Sequence, residues 1–249
     1  MKRIQRTELI VLKSEKSGEN HRLVTIFTEN TGVIRALAFG ATGSKSKMRA
    51  TTTAFCLADG ELYYDPVKDL WRITHLYGKN LYDGIRENLK KFYSVSFIAE
   101  IILKSYSGGD ERVYQLFSKT VKMIDLSPIE RDVEILLVLY LWRYLWMNGV
   151  LPDLSECSSC GRDLNRNESI FYKGDDHFVC SNCRTESRVE LNHEVLKYLS
   201  ITSVLKYEDA MAIDISDSSL KNLKNCLILI VQAFVEYPLK TLKSSKGFL

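Results

Sequence analysis

Two cysteine pairs, Cys157-Ser-Ser-Cys160 and Cys180-Ser-Asn-Cys183, enclose 19 residues and constrain this chain more than any other feature. A C-x2-C step turns two thiolates on one backbone knuckle toward a common point, and two such knuckles complete a tetrahedron around one cation. The spacing therefore predicts one structural Zn²⁺ per chain, held by Cys157, Cys160, Cys180 and Cys183. Gly161 directly follows the second cysteine and permits the tight backbone path of a knuckle. Between the pairs, Ile170-Phe171-Tyr172 and His177-Phe178-Val179 flank Gly174-Asp175-Asp176, the pattern of a short β-hairpin and hence of a zinc ribbon. A thioredoxin-type dithiol would need one pair at a helix start within a βαβ pattern, which is absent. Four thiolates close the coordination sphere, so the site is read as structural and not catalytic. His177 is an alternative ligand by proximity, but its place beside Phe178 reads as an ordinary strand position.

The other two cysteines, Cys56 and Cys226, sit in apolar stretches and read as core thiols. Met1-Lys2-Arg3 is basic, yet the apolar run 9–12 is too short for a signal h-region and is bracketed by Glu8 and Lys13. The longest apolar runs, 135–142 and 226–235, fall well short of the roughly 20 residues of a membrane span and read as buried helices. The expectation is a protein of the reducing cytoplasm, with a metal instead of disulfides and no membrane contact.

A net charge of +3 is too small to name a partner, but its distribution is uneven. Residues 1–50 hold ten Lys and Arg against four Asp and Glu, whereas the rest hold 24 against 27. A basic N-terminal fifth on a mildly acidic body is the asymmetry of a polyanion-binding end.

Residues 1–80 read as β. Residues 7–13, 21–28, 32–39, 51–57, 61–64 and 71–76 are short apolar or alternating runs, with turns at Ser17–Asn20, Glu29–Gly32, Asp59-Gly60 and Asp65-Pro66. Residues 40–48 (GATGSKSKM) read as a mobile basic loop. Such a series suits a small barrel of the OB type or a small sandwich, and periodicity does not separate the two. From Leu81 the period becomes helical, with Phe92, Val95, Ala99 and Ile102 on one face and Val113, Leu116, Phe117 and Val121 on the next. Ser127-Pro128 opens a long helix to about Met147, and Asn192 and Ser216 open two more. The expected class is α+β: a β-barrel domain over 1–80, then a mainly helical domain over 81–249 with a zinc module at 154–190.

No phosphate loop, dinucleotide turn or HExxH helix occurs, and Gly40-x-x-Gly43-Ser-Lys45 lacks the Walker spacing. Asp175-Asp176 reads as a solvated hairpin tip. The four histidines, 21, 75, 177 and 193, suggest no nucleophile–base pair, so a non-enzymatic protein is expected. The better lead is basic: Lys2, Arg3, Arg6, Arg22, Arg35, Lys45, Lys47 and Arg49, with Phe27 or Phe39 near them. A positive groove with aromatic faces is how OB-folds take single-stranded nucleic acid. Trp142 and Trp146, four apart on a helix, read as core.

These residues resemble the RecO family of bacterial recombination mediators. The likeness runs through Thr7-Glu8-x-Ile10-Val11-Leu12, then Gly18-Glu19-x-x-Arg22-Leu23-x-Thr25-x-Phe27-Thr28 and Gly32, then Phe39-Gly40-Ala41 before Ser44-Lys45-Ser46. It resumes at Leu151-Pro152-Asp153-Leu154-x-x-Cys157-x-x-Cys160-Gly161. The resemblance implies an N-terminal OB-fold, a helical C-terminal domain with a zinc module, and DNA binding and strand annealing without nucleotide hydrolysis. It also implies three partners: the acidic tail of the single-strand-binding protein SSB, RecR, and indirectly RecA, which is loaded onto SSB-coated DNA. DNA contacts, to single and double strands, would fall on Arg22, Arg35, Lys45, Lys47 and Arg49. Lys90, Lys91, Arg143, Lys197 and Lys206 are the helical-region charges considered for the SSB tail. Three rival readings stand beside this one: a protein–protein adaptor whose barrel does not touch DNA, an RNA-processing or translation factor of the OB-fold and zinc-ribbon kind, and an enzyme with an unrecognised site, disfavoured by the closed metal site and the scattered histidines.

Overall fold

The alternating N-terminal runs form β1 (Ile4–Ser17), β2 (His21–Thr28), β3 (Gly32–Ala38), β4 (Leu57–Asp65) and β5 (Leu70–Asn80) in the computed structural model. The structure describes residues 4–106, 108, 110–151, 153–164, 168–174, 177–184 and 189–249. The five strands close into a barrel in the order β1-β2-β3-β5-β4, antiparallel except where Ala36–Ala38 of β3 run parallel to Trp71–Ile73 of β5. That closure is of the OB type and excludes a two-sheet sandwich. Alternate residues point inward, and Leu9, Val24, Ile26, Ala36, Leu62 and Ile73 fill the interior.

Two strand-level expectations are corrected. Residues 51–57 are not a strand: α1 (Met48–Thr51) is followed by turns in which Phe55 has φ +69°. A bulge in β1 between Val11 and Lys13 leaves backbone groups of Val11 for this segment. The Val11 N–H donates to the Cys56 carbonyl (3.0 Å), and the Phe55 N–H donates to the Val11 carbonyl (2.6 Å). Nor is Asp59-Gly60 a turn, for it lies inside β4. A Cβ on Gly60 would sit 2.5 Å from Leu9 Cδ2, so this glycine marks close packing inside the barrel.

The outer side of β2 is buried as well. Phe27 is fully buried, edge-on to Tyr106, Tyr114 and Phe117 at 5.2–5.7 Å between centroids. Burying such a ring contributes about 1.5–3 kcal/mol. Those partners belong to a helical layer of α2 (Asp83–Glu87), α3 (Leu89–Ser105) and α4 (Glu111–Leu126). The helical layer and the barrel make one compact unit, Met1–Leu126, and Ser127–Leu249 makes a second. The change of sequence pattern at Leu81 and the division between packed units thus fall at different places.

The second unit is built on α5 (Glu130–Met147), buried at Val133, continuously from Ile135 to Leu141, and at Tyr144 and Leu145. Around it stand α6 (His193–Thr202), α7 (Tyr207–Met211), α8 (Asp217–Val235) and α9 (Lys240–Ser244). Asn192 and Ser216 cap α6 and α8 as their sequence positions predict, accepting from the Val195 and Ser219 N–H groups. The core assignment of the tryptophans fails: Trp142 is half-buried and Trp146 is 66% exposed. Because α5 is apolar nearly all round, periodicity cannot tell its inner face from its outer one. A three-stranded sheet, β6 (Ile170–Gly174), β7 (His177–Val179) and β8 (Val189–Leu191), completes the unit in the order β7-β6-β8. Asp175 and Asp176, assigned to the hairpin tip, lie outside the described residues. Among the described residues no helix is long and apolar enough to cross a membrane.

Candidate metal centre and nucleic-acid interface

The β6–β7 hairpin pairs Phe171 with Val179 and Tyr172 with Phe178, which brings Cys180 to the first knuckle. The Ser158 N–H donates to the Phe178 carbonyl (3.0 Å), tying knuckle to hairpin. Within the knuckle the Gly161 N–H donates to the Cys157 carbonyl (2.8 Å), and Gly161 takes φ +68°, a left-handed turn that suits glycine. On the second knuckle, Ser181–Cys183 form a 3₁₀ turn.

All four sulfurs consequently lie within 4.8 Å of one another, with Cys160 Sγ and Cys180 Sγ 3.9 Å apart. Thiolates about 2.3 Å from one tetrahedral ion would stand roughly 3.8 Å apart, so the cluster has the dimensions of a metal site. None of the four is in a disulfide. Burial pushes the Cys157 thiol up, but backbone N–H groups of Cys180, Ser159 and Cys160 outweigh it and hold this thiol at about 6. Hydrogen bonding to Cys160 and Cys180 pushes Cys183 up to about 12. Four crowded sulfurs of which one is readily ionised form a donor set that a soft or borderline cation stabilises. The cluster can thus hold a metal ion. His177 is exposed and is not part of it.

On the barrel, strand register places each basic residue. Arg22 pairs with Ala38 at the barrel end, and its guanidinium donates to the Arg49 carbonyl and to Thr52 Oγ1, both at 3.0 Å. Arg22 therefore anchors the loop that carries Lys45, Lys47 and Arg49, all three of which are exposed. That loop is a chain of turns, with Gly43, Ser46 and Arg49 N–H groups donating to Gly40, Gly43 and Ser46 carbonyls. Its Thr42 N–H donates back to the Asn20 carbonyl of the β1–β2 turn. Arg35 is exposed on the outer wall of β3, in a cross-strand row with Thr25 and Lys13. The structure thus joins Arg22 to Arg49 and leaves Arg35 about 10 Å along the sheet, three residues from Ala38.

The two candidate aromatics part company. Phe27 is core, so it offers no face to a base. Phe39, at the root of the basic loop, is 43% exposed. The Arg72 guanidinium lies over its ring, 5.5 Å from the centroid, and His21 meets its edge at 4.9 Å. Arg72 also pairs with Asp65 at 2.5 Å. Arg72 was not among the sequence candidates; its place follows from the parallel pairing of Leu37 with Arg72, which no local pattern announces.

Another face of the barrel is acidic. A cleft of about 760 Å³ is lined by Glu8, Glu29, Asp59 and Glu61, with Arg6 and Lys79 among them. Lys79 bridges Glu8 (2.7 Å) and Asp59 (2.8 Å), and these two hydrogen-bonded carboxylates raise its pKa. Arg6 pairs with Glu61 at 2.9 Å, so it belongs to this face and not to the basic side. Lys2 and Arg3 lie outside the described residues. Arg143 is spent inside the second unit, donating to the Thr202 and Leu205 carbonyls and resting 4.7 Å from the Tyr207 ring centroid.

A five-stranded OB-type barrel, a helical region and an embedded four-cysteine cluster define the class. The family model described as "Recombination protein O N terminal" matches residues 1–80, and that described as "Recombination protein O C terminal" matches residues 86–243. Among curated proteins the chain is similar to the DNA repair protein RecO of Caldanaerobacter subterraneus subsp. tengcongensis, 30% identical over 213 residues, 83% of each chain. It is similar also to the protein of that name from Clostridium novyi, 28% identical over 94% of this chain and 91% of the relative. A third, from Thermoanaerobacter sp. strain X514, is 31% identical over 74% of this chain and 73% of the relative. The chain belongs to the RecO family of DNA repair proteins.

Proposed function

We propose that the protein is a recombination mediator of the RecF pathway, acting on the nucleoid in the cytoplasm. In this reading it binds single- and double-stranded DNA, anneals complementary strands, and with RecR promotes loading of RecA onto DNA coated by SSB. The observation that carries the DNA-binding part is the Phe39–Arg72 pair at the root of a basic loop, on a barrel another face of which is acidic. Lys45, Lys47, Arg49 and Arg35 neutralise phosphates and release counterions, which supplies affinity without reading sequence. The exposed Phe39 ring offers a face to one base, which favours a single strand over a duplex with its bases paired. Arg22 contributes by holding the loop in place. The acidic wall repels phosphate and confines the strand to one side of the barrel.

Zn²⁺ is the proposed occupant of the cysteine cluster. Bound there, it would fix both knuckles and the hairpin between them, a folding role. Annealing then needs no nucleotide, because holding a neutralised strand with its bases accessible is the whole chemical task.

The test is annealing of complementary strands coated with intact or tail-deleted SSB, with and without ATP. Faster annealing on intact SSB, unchanged by ATP, supports the mediator reading. Equal rates on both SSB forms, or a need for ATP, leave a DNA-binding adaptor. Preference for RNA in competition would favour the RNA-binding alternative.

A further inference from the structure

In the second unit a groove of about 460 Å³ opens between the helices and the first cysteine knuckle. Its floor is apolar: Trp142 of α5 and Leu199 of α6 face Leu154 and Leu164 of the knuckle. Its rim carries Asp153 and Asp163. No Lys or Arg is among the described residues that line it, and neither carboxylate has an ion-pair partner among the described residues. The Asp153 carboxyl accepts from the Ser155 N–H at 2.8 Å, and its hydrogen bonds to Ser155 hold its pKa below the usual range. Trp146, one turn further along α5 from Trp142, is 66% exposed. An exposed tryptophan beside a half-buried one at an apolar groove is the composition of an interface anchor, not of a solvated surface.

We propose that this groove docks an amphipathic helical segment of a protein partner, with apolar side chains seated against Trp142 and Leu164 and Lys or Arg paired with Asp153 and Asp163. Charge complementarity selects that occupant. An acidic peptide would place its carboxylates against two aspartates that have no ion-pair partner among the described residues, whereas a basic amphipathic helix satisfies both floor and rim. This surface is therefore separate in chemistry from any that would take an acidic tail. Because one wall is the segment 153–164, the groove also depends on the fold of the first knuckle.

The experiment titrates the full chain with two fluorescein-labelled helical peptides of identical leucine pattern, one carrying lysine and the other glutamate on its polar face. The lysine peptide should bind saturably and the glutamate peptide should not. The D153N/D163N double variant, which keeps the shape of both side chains, should weaken the lysine peptide roughly tenfold. W146A removes an exposed side chain and should weaken it without changing thermal stability. Reversing Asp59 and Glu61 on the acidic barrel wall, with D59K/E61K, should leave binding unchanged and so exclude a diffuse charge effect. Absence of saturable binding, equal binding of the two peptides, or full affinity in D153N/D163N would each overturn the proposal.

Discussion

The guanidinium of Arg72 in β5 lies over the ring of Phe39, one residue past the end of β3, at 5.5 Å from its centroid. Only the parallel β3–β5 pairing that closes the barrel brings them together. The pair gives one face both a stacking plane and a fixed cation. A base stacked on an aromatic side chain contributes about 1–3 kcal/mol, so Phe39→Ala should weaken single-stranded DNA binding by roughly 5- to 150-fold. Its effect on duplex binding should be smaller, and its salt dependence should match that of the unsubstituted chain. Fluorescence anisotropy on both substrates across a salt series checks this. Equal losses on the two substrates would show that Phe39 supports the wall and does not stack.

The basic loop predicts the complementary behaviour. Reversing Lys45, Lys47 and Arg49 to Glu should weaken both substrates and reduce the slope of log K against log[salt] by about 2–3. These side chains are exposed, so the melting temperature should hold. Arg22→Ala should act differently. Its hydrogen bonds to the Arg49 carbonyl and Thr52 hold the loop, so its loss should lower thermal stability along with affinity. An unchanged slope in the triple variant would move the phosphate contacts elsewhere.

How much of this was legible in the sequence depends on the range of the interaction that decides each feature. The four ligand candidates follow from spacing, because a knuckle is a local structure, and the paired strands between them follow from the short apolar runs at 170–172 and 177–179. Helix starts at Asn192 and Ser216 are also local. By contrast, Gly60 reads as a turn in isolation and is a strand residue because Leu9, from a distant strand, occupies the space of its missing side chain. Residues 51–57 alternate like a strand, but the β1 bulge recruits their backbone as turns. Phe27 and Phe39 look equivalent in sequence; a helical layer buries one and leaves the other open. Short elements such as α7 and β8 span too few residues to show a period at all.

The metal centre predicts a coupled loss. Cys157→Ser should lower metal content and melting temperature together, since metal binding and folding share one free energy. Cys226→Ser alters a thiol buried in α8 and outside the cluster, so it should leave metal content at one ion per chain even where it costs stability. Metal analysis alongside calorimetry separates the two. A Cys157→Ser chain that loses its metal and keeps its melting temperature would show that the ion has no folding role.

Glu194 predicts a pH dependence whose sign is fixed by its partners. Its carboxylate accepts from the Ser216 N–H at 2.7 Å and from the Ser216 hydroxyl at 2.5 Å, and it also accepts from the Ser219 hydroxyl. The Ser216 and Ser219 hydroxyls, with the Ser216 N–H, hold its pKa below the ordinary glutamate range and outweigh the opposing effect of burial. A depressed folded-state pKa gives stability that is fully present above the unfolded value of about 4.3 and is lost as pH falls through the folded value. At pH 7 the ionised carboxylate therefore locks α6 to the start of α8, whose cap is Ser216. Glu194→Gln removes the charge and keeps the size, so it should lower the melting temperature at neutral pH by about 2–4 °C. The gap between the two proteins should begin to narrow as pH falls below the unfolded value of about 4.3, and should close once pH lies below the depressed folded value, where the native carboxyl is itself protonated. Thermal melts from pH 3 to 7 measure this directly, and a gap that stays constant across that range would show that Glu194 acts by packing and not by its charge.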